Sequence, residues 1–425
     1  MEKVAIALFG ATYLLLLVLP RFRAHIALLG AGLFVVAGIV PITLVWTLVD
    51  WNVILMIAGT MGIVSLFIAS RMPALLADLI IERTPNIRWA VVALALFAGL
   101  ISAFVDNVAT VLMVAPVAIS VAQKQGVSPV SSVIAVAISS NLQGAATLVG
   151  DATSILLGGY AHLDFLDFFF VQGRPGLFWI VQAGALVATA VLFWTLRSNT
   201  QRVQPQGRTK VEDYFPTLLL ASMVALLILA SFVRQKPAIT NGLICVTLLA
   251  VGLLREVLRG AGYKVVRDTL AEIDLFTLFL LVGLFVVVGG LTQVGVIDQF
   301  SVLVVKLGQG NIFVIYTLVV WLSVLISGFV DNIPYVATML PVVGGVASLL
   351  GVDANLLYFG LLVGATLGGN ITPIGASANI TALGLLRKEG YEVRAGEFMR
   401  LSVPFTFAAV FTGYLLLWLV WGGTV

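Results

Sequence analysis

Two aspartates stand where a carboxylate is costly. Asp106 sits in the middle of the apolar run 89–123, within Phe104-Val105-Asp106-Asn107-Val108, and Asp331 in the middle of the run 311–350, within Phe329-Val330-Asp331-Asn332-Ile333. Near the centre of a bilayer an ionised carboxylate costs ~3 kcal/mol or more, so such a group is suited to exchanging a proton or holding a cation. The same position can serve as the N-cap of the helix that follows, which agrees with Pro334 just inside the second one. Ser or Asn would cap without burying a charge, which favours the coupling role for the two carboxylates. For Asn107 and Asn332, capping and ligand contact both remain open.

Two further stretches carry polar groups at mid-depth. The first is Ser140-Asn141-Leu142-Gln143-Gly144-Ala145-Ala146-Thr147-Leu148-Val149-Gly150-Asp151, and the second is Thr366-Leu367-Gly368-Gly369-Asn370-Ile371-Thr372-Pro373-Ile374-Gly375-Ala376-Ser377-Ala378-Asn379. Both read as helices broken inside protein or beside a wet cavity. Gly144, Gly150, Gly369 and Gly375 let backbone bend and approach a ligand, and Asn141, Thr147, Asn370, Thr372, Ser377 and Asn379 offer oxygens or amides to it. A half-helix beginning after such a break presents free N–H groups to an anion. Asp151 has no carboxylate mate in the second stretch and is either a third proton- or cation-binding group or a cap on the helix resuming at Ala152.

These residues have to be positioned by membrane-spanning elements. Of the 425 residues, 60% are hydrophobic and 10% charged, far from the balance of a water-soluble domain. Two His and one Cys leave little for zinc, haem or disulfide chemistry. The basic residues form no stripe that would bind nucleic acid, and no nucleophile–base pair or phosphate loop suggests an enzyme. Spanning helices are expected at about 4–19, 25–46, 52–70, 176–196, 215–233, 237–254, 275–297 and 403–423. Cys245 lies in one of these as a packing residue.

The polar interruptions repeat. Asp331 follows Asp106 by 225 residues, as Pro341 follows Pro116, Thr372 follows Thr147 and Gly375 follows Gly150; Asp50 and Gly59 recur as Asp274 and Gly283 at 224. If 89–123 and 311–350 are hairpins that enter and leave on one side, Lys3, Arg174, Arg234, Lys236 and Lys306 fall on one face and the other 18 of 23 Lys and Arg on the opposite, cytoplasmic face. The two repeats are then inverted in the membrane, with both termini outside. The expected fold is all-α and polytopic, with about ten spanning helices, two of them broken, plus two re-entrant hairpins. Residues 1–51 supply N-terminal spans. Residues 52–196 form the first repeat, with hairpin 89–123 and broken helix 128–160. A polar cytoplasmic linker covers 197–214, and residues 215–425 form the second repeat, with hairpin 311–350 and broken helix 354–385. Inverted repeats with broken helices are a secondary-transporter architecture, whereas a channel would need a continuous pore.

The hairpin stretches, 102–111 and 330–341, resemble the hairpin motifs of the ion transporter superfamily, and Leu367 to Asn379 is similar to its second helix break. The likeness is closest to the branch of ArsB-type arsenite efflux permeases and the melanosomal P protein, with NhaD-type sodium/proton antiporters and sodium-coupled dicarboxylate carriers more distant. The first break, Gly150-Asp151-Ala152-Thr153-Ser154, departs from the Gly-Asp-Pro-Pro-Asn of many P-protein relatives. The resemblance implies a scaffold and an elevator-like transport domain, a homodimer and, for an arsenite permease, an ATPase partner. The expected function is secondary transport in a cell's inner membrane, driven by the proton motive force. Through the resemblance the transporter is expected to export arsenite, antimonite or a similar small inorganic solute in exchange for H⁺. The alternatives are a sodium/proton antiporter or a dicarboxylate carrier. Bound Na⁺ or coupled H⁺ is the one ligand expected besides the solute, with no resident cofactor or metal.

Overall fold

The computed structural model describes residues 1–197, 201–202, 207–233, 235–260 and 262–424. Part of the expected linker (198–200 and 203–206) and Arg234 lie outside the described residues. The chain is almost wholly α-helical, with one two-stranded ribbon pairing Phe170–Val171 with Arg174–Pro175. Among the described residues, seven helices are long and apolar enough to cross a membrane, or nine if each of two bent helix pairs counts as one span. This is a multi-pass membrane protein.

Two helix–turn–helix units and two interrupted helices lie at the stretches where polar residues interrupt the apolar runs. The first hairpin joins Ile87–Ser102 to Asn107–Lys124, and the second joins Ile312–Ser327 to Asn332–Leu350. Broken helices run Val130–Gly144 then Ala152–Ala161, and Asn355–Gly368 then Ser377–Lys388. The caps follow the same register: Asn86 accepts from the Trp89 amide and Asn311, 225 residues later, from those of Phe313 and Val314. Asp50 and Asp274 likewise accept from the Val53 and Thr277 amides. Each side-chain oxygen satisfies an N–H that the first helical turn leaves unpaired.

Packing crosses between the halves. Asn107–Lys124 packs on Val130–Gly144 of its own half and on Ser377–Lys388 of the other, while Asn332–Leu350 packs on Asn355–Gly368 and on Ala152–Ala161. Outside this central group, Trp51–Ala69 packs on Thr240–Leu258 and Leu275–Gln293 on Arg23–Val36. Leu177–Thr195 and Ala395–Trp421 pair beside the broken helices.

Several expected spans differ. The span at 25–46 is two pieces, Arg23–Val36 and Ile42–Leu48, because Gly38 turns at φ +70° and Pro41 starts the second piece. The span at 275–297 stops at Gln293, where Gly295 adopts φ +77° and a separate helix, Val296–Leu307, begins. Met72–Ile81 and Gly262–Ala271 are further short helices in segments without a spanning pattern, and the final helix starts at Ala395 rather than near 403.

The linker is pinned where it is described. The buried Asp78 carboxylate accepts from the Thr209 amide at 2.8 Å and its hydroxyl at 2.6 Å, and Arg208 pairs with Glu82. Asp213 takes Arg255 Nη2 at 3.1 Å and Arg259 Nη1 at 3.0 Å. Hydrogen bonding from Arg255 holds the Asp213 carboxyl below its ordinary value. A depressed carboxyl stabilises the fold above the ordinary carboxylate range and loses that contribution as the solution is acidified. Asp213→Asn is therefore expected to cost about 1 kcal/mol at neutral pH. Thermal melts should show the gap between variant and parent closing below about pH 4.

Candidate functional site

The site grows out of the way each hairpin tip is tied to a helix break. Thr147 donates its hydroxyl to the Ala103 carbonyl in the first tip, and Thr372 donates to the Gly328 carbonyl in the second. The broken ends are closed from within: Ser154 donates to the Gly144 carbonyl at 3.0 Å, and Asn379 Nδ2 to the Gly369 carbonyl at 3.0 Å. These carbonyls would otherwise lie unpaired at the end of a buried half-helix. Gly150 and Gly375 sit against the tips with no room for a side chain. A Cβ on Gly150 would lie 2.7 Å from the Gly144 oxygen and 2.9 Å from that of Ser102. On Gly375 it would lie 2.6 Å from the Gly369 oxygen and 2.8 Å from that of Gly328.

Between the two breaks lies a chain of buried amides. Asn107 Nδ2 donates to Asn141 Oδ1 at 2.8 Å, and Asn141 Nδ2 donates to Asn370 Oδ1 at 2.8 Å and Asn379 Oδ1 at 2.9 Å. Asn370 Nδ2 continues to the Ile138 carbonyl at 2.8 Å. Asn141, Asn370 and Asn379 are fully buried. A satisfied network of this kind fixes one arrangement of the elements it joins.

A cavity of about 190 Å³ lies at the meeting of the tips and the resumed helices. Of the residues singled out by sequence, Asp106, Asp151, Asp331, Asn107, Asn332 and Ser377 line it. Thr147, Thr372, Asn141, Asn370, Asn379, Gly144, Gly150, Gly369 and Gly375 do not; they hold the tips and breaks in place. Of the two roles foreseen for the paired aspartates, capping is met in the structure. Asp106 Oδ1 accepts from the Val108 and Ala109 amides at 3.0 and 3.2 Å, and Asp331 Oδ1 from the Ile333 amide at 3.2 Å, so each caps its helix. Asp331 Oδ2 accepts from Arg23 Nη1 at 2.8 Å, whereas Asp106 Oδ2 has no such partner among the described residues. Asp151 sits at the N-cap position without capping through its side chain; its Oδ2 accepts from Thr153 Oγ1 at 2.9 Å.

Glu272 and Asp274 also line the cavity, at the start of Leu275–Gln293. Asp274 carried a signal in its register with Asp50, but nothing in the sequence brings Glu272 or Arg23 to the hairpin tips. Besides the carboxylates, the cavity wall includes Ala152 and Ser377, the first residues of the two resumed helices. Carboxylates and the positive ends of two half-helices therefore border one small space.

Residues 13–364 match the citrate transporter family. The chain belongs to that family. A transporter of Mycobacterium tuberculosis is 33% identical over 99% of both chains. The human P protein is 26% identical over 97% of this chain and 59% of its own length. Among solved structures, the YdaH transporter of Alcanivorax borkumensis superposes with a TM-score of 0.60 at 18% identity, covering 88% of this chain and 85% of that one. MtrF of Neisseria gonorrhoeae gives 0.58 at 14% identity, over 86% and 80%. These likenesses are of fold. This family member is a membrane transporter and not an enzyme; the arsenite-permease branch itself finds no support among these relatives.

Gly150→Ala is expected to displace the first tip and cost roughly 1–3 kcal/mol. Gly384→Ala, where a Cβ meets nothing within 4 Å, should leave melting unchanged or raise it. Equal effects in thermal melts would rule out the packing argument.

Proposed function

We propose that this citrate-transporter-family protein is a secondary active transporter that couples proton movement to the passage of a small solute that is uncharged or neutralised by a cation. The observation that carries this reading is the cavity that Asp106 shares with Asp151 and the first residues of two half-helices, where the Asp106 Oδ2 has no side-chain partner among the described residues. Asp106, Asp151 and Asp331 form the carboxylate set that exchanges H⁺ or a cation. Asn107, Asn332 and Ser377 are the polar side chains placed to touch the solute. Carboxylates outnumber the single guanidinium at the cavity, so a bare anion would be repelled. Arsenous or antimonous acid suits such a wall: it is uncharged near neutral pH, its hydroxyls can donate to carboxylates and its oxygens can accept from amides.

The contacts repeated at an offset of 225 residues support two inverted repeats, with hairpins entering from opposite faces and a hairpin domain moving against a scaffold as an elevator. The distribution of Lys and Arg supports a cytoplasmic linker, and an inner (plasma) membrane location is part of this reading. A homodimer, and an ATPase partner, remain part of this reading through resemblance to the arsenite permeases. A second reading has a specific support in the family's name: the cargo is citrate or another carboxylate, compensated by a bound cation. A sodium/proton antiporter is the third, and needs only the carboxylates.

Proteoliposomes with an imposed pH gradient distinguish these readings. Arsenite flux that follows the gradient is expected, and Asp106→Asn should lower it roughly tenfold or more, equivalent to about 1.4 kcal/mol. Collapse of the gradient by Na⁺ without arsenite movement would replace this reading with the antiporter, and flux of citrate only with a divalent cation would replace it with the carboxylate carrier. If Asp106→Asn and Asp331→Asn both left flux and its pH dependence intact, the aspartates would be caps alone.

A further inference from the structure

The two repeated aspartates are alike in their caps and unlike in what meets the second oxygen. In each, Oδ1 accepts from the amide two residues later, at 3.0 Å for Asp106 and 3.2 Å for Asp331. The Oδ2 of Asp331 then receives Arg23 Nη1 at 2.8 Å, from the first residue of Arg23–Val36. Only 16% of the Asp331 side chain and 23% of the Arg23 side chain are exposed. The N-terminal helices grip this hairpin at a second place, since Tyr13 donates to the Pro334 carbonyl at 2.8 Å and its hydroxyl also meets that of Thr338. Arg23 is therefore seated in a contact surface rather than reaching across open space.

Among the described residues, no cation pairs with Asp106 as Arg23 does with Asp331. Gly283 packs on the backbone of Ala27, four residues after Arg23, and Gly59, its repeat mate, packs on the backbone of Cys245. Counting back four residues from Cys245 gives Asn241, a neutral residue that is buried, does not line the cavity, and has an Oδ1 without a hydrogen-bond partner. The groups facing the carboxylates of both tips are thus Arg23 and Tyr13 from the N-terminal helices, Asp151 from the first break, and Glu272 and Asp274 from the start of Leu275–Gln293. Among the described residues, Arg23 is the one permanent positive charge paired with a carboxylate of this set, and it is committed to Asp331.

We propose that Arg23 is a tethered counter-cation that fills the Asp331 half of the cavity, so that of the two repeat-related carboxylates only Asp106 exchanges its proton or cation during transport. This rests on the reading that the cavity carboxylates couple transport, and it assigns Arg23 as a positioning residue that sets how many exchangeable charges the cavity holds. The pair also joins a hairpin tip to an N-terminal helix, so it separates whenever the tip leaves that helix.

The test uses protons alone as the ligand and does not require the solute. Infrared difference spectra of the full-length protein in lipid, taken between about pH 5 and about pH 9, report each carboxyl that gains a proton. The protonated-carboxyl band is expected to weaken in Asp106→Asn and to be unchanged in Asp331→Asn. Arg23→Gln should add a further band that Arg23→Lys does not add and that disappears in the double variant Arg23→Gln with Asp331→Asn, in which both partners are replaced together. Loss of a band in Asp331→Asn alone, or a folded Arg23→Gln protein with no added band, would overturn the proposal. Should Arg23→Gln not fold, the Asp331→Asn spectrum decides by itself. A spectrum unchanged in Asp106→Asn, with the Arg23 results as expected, would instead sink the coupling reading and leave the assignment of Arg23 standing.

Discussion

Inside a hydrocarbon layer no backbone N–H or C=O can be left to water, and two helices that stop midway create such groups in quantity. The rest of the structure is arranged around closing them. Ser154 and Asn379 take the last carbonyls of the interrupted helices, and Thr147 and Thr372 tie each break to a hairpin tip. Asp106 and Asp331 take the first amides of the helices that leave the tips. With these groups satisfied by short side chains, the resumed helices at Ala152 and Ser377 can begin beside a cavity instead of in a packed core. The site is thus a by-product of backbone hydrogen bonding, with its polar character concentrated where regular structure is interrupted.

Charge follows a second rule. Among the described residues, carboxylates come into the cavity in excess of cations, and the balance is unequal between the halves: Asp331 has Arg23, Asp106 has no guanidinium, and Asp151 accepts from the Thr153 hydroxyl. The capping contacts recur at an offset of 225, aspartates included, while Asp151 is matched by Ala376 and Arg23 pairs with only one of the two tips. A duplicated framework can keep its hydrogen-bonded caps in both halves, because every helix start needs them, and still assign different electrostatics to each, because a single side chain from a neighbouring helix changes the balance.

The hairpins and breaks were legible in the sequence because polar residues are rare within long apolar runs, and because the same interruption appears twice. Asp106 and Asp331 were found this way, and so was the line of Asn and Thr residues, although most of these brace the backbone instead of lining the cavity. What could not be read was any feature made by distant segments meeting. Arg23 looked like a topology signal, since a basic residue beside an apolar helix usually is one, and its partner is 308 residues away. The division of 25–46 turned on one positive-φ glycine followed by Pro41, and short helices such as Met72–Ile81 carry too little periodicity to stand out from loops.

The buried amide chain has a consequence for how the protein is made. Asn141 hydrogen-bonds to Asn370, 229 residues later, and to Asn379, 238 residues later. A chain inserted from its N-terminus places the first break in the membrane long before either partner has been synthesised. Until then Asn141 Oδ1 can already accept from Asn107, but its Nδ2 must find water, lipid headgroups or the insertion machinery in place of its final partners. The first half is therefore an incomplete folding unit at birth, and maturation of the site belongs to the last stage of biosynthesis, when the second broken helix enters and the two halves close on each other.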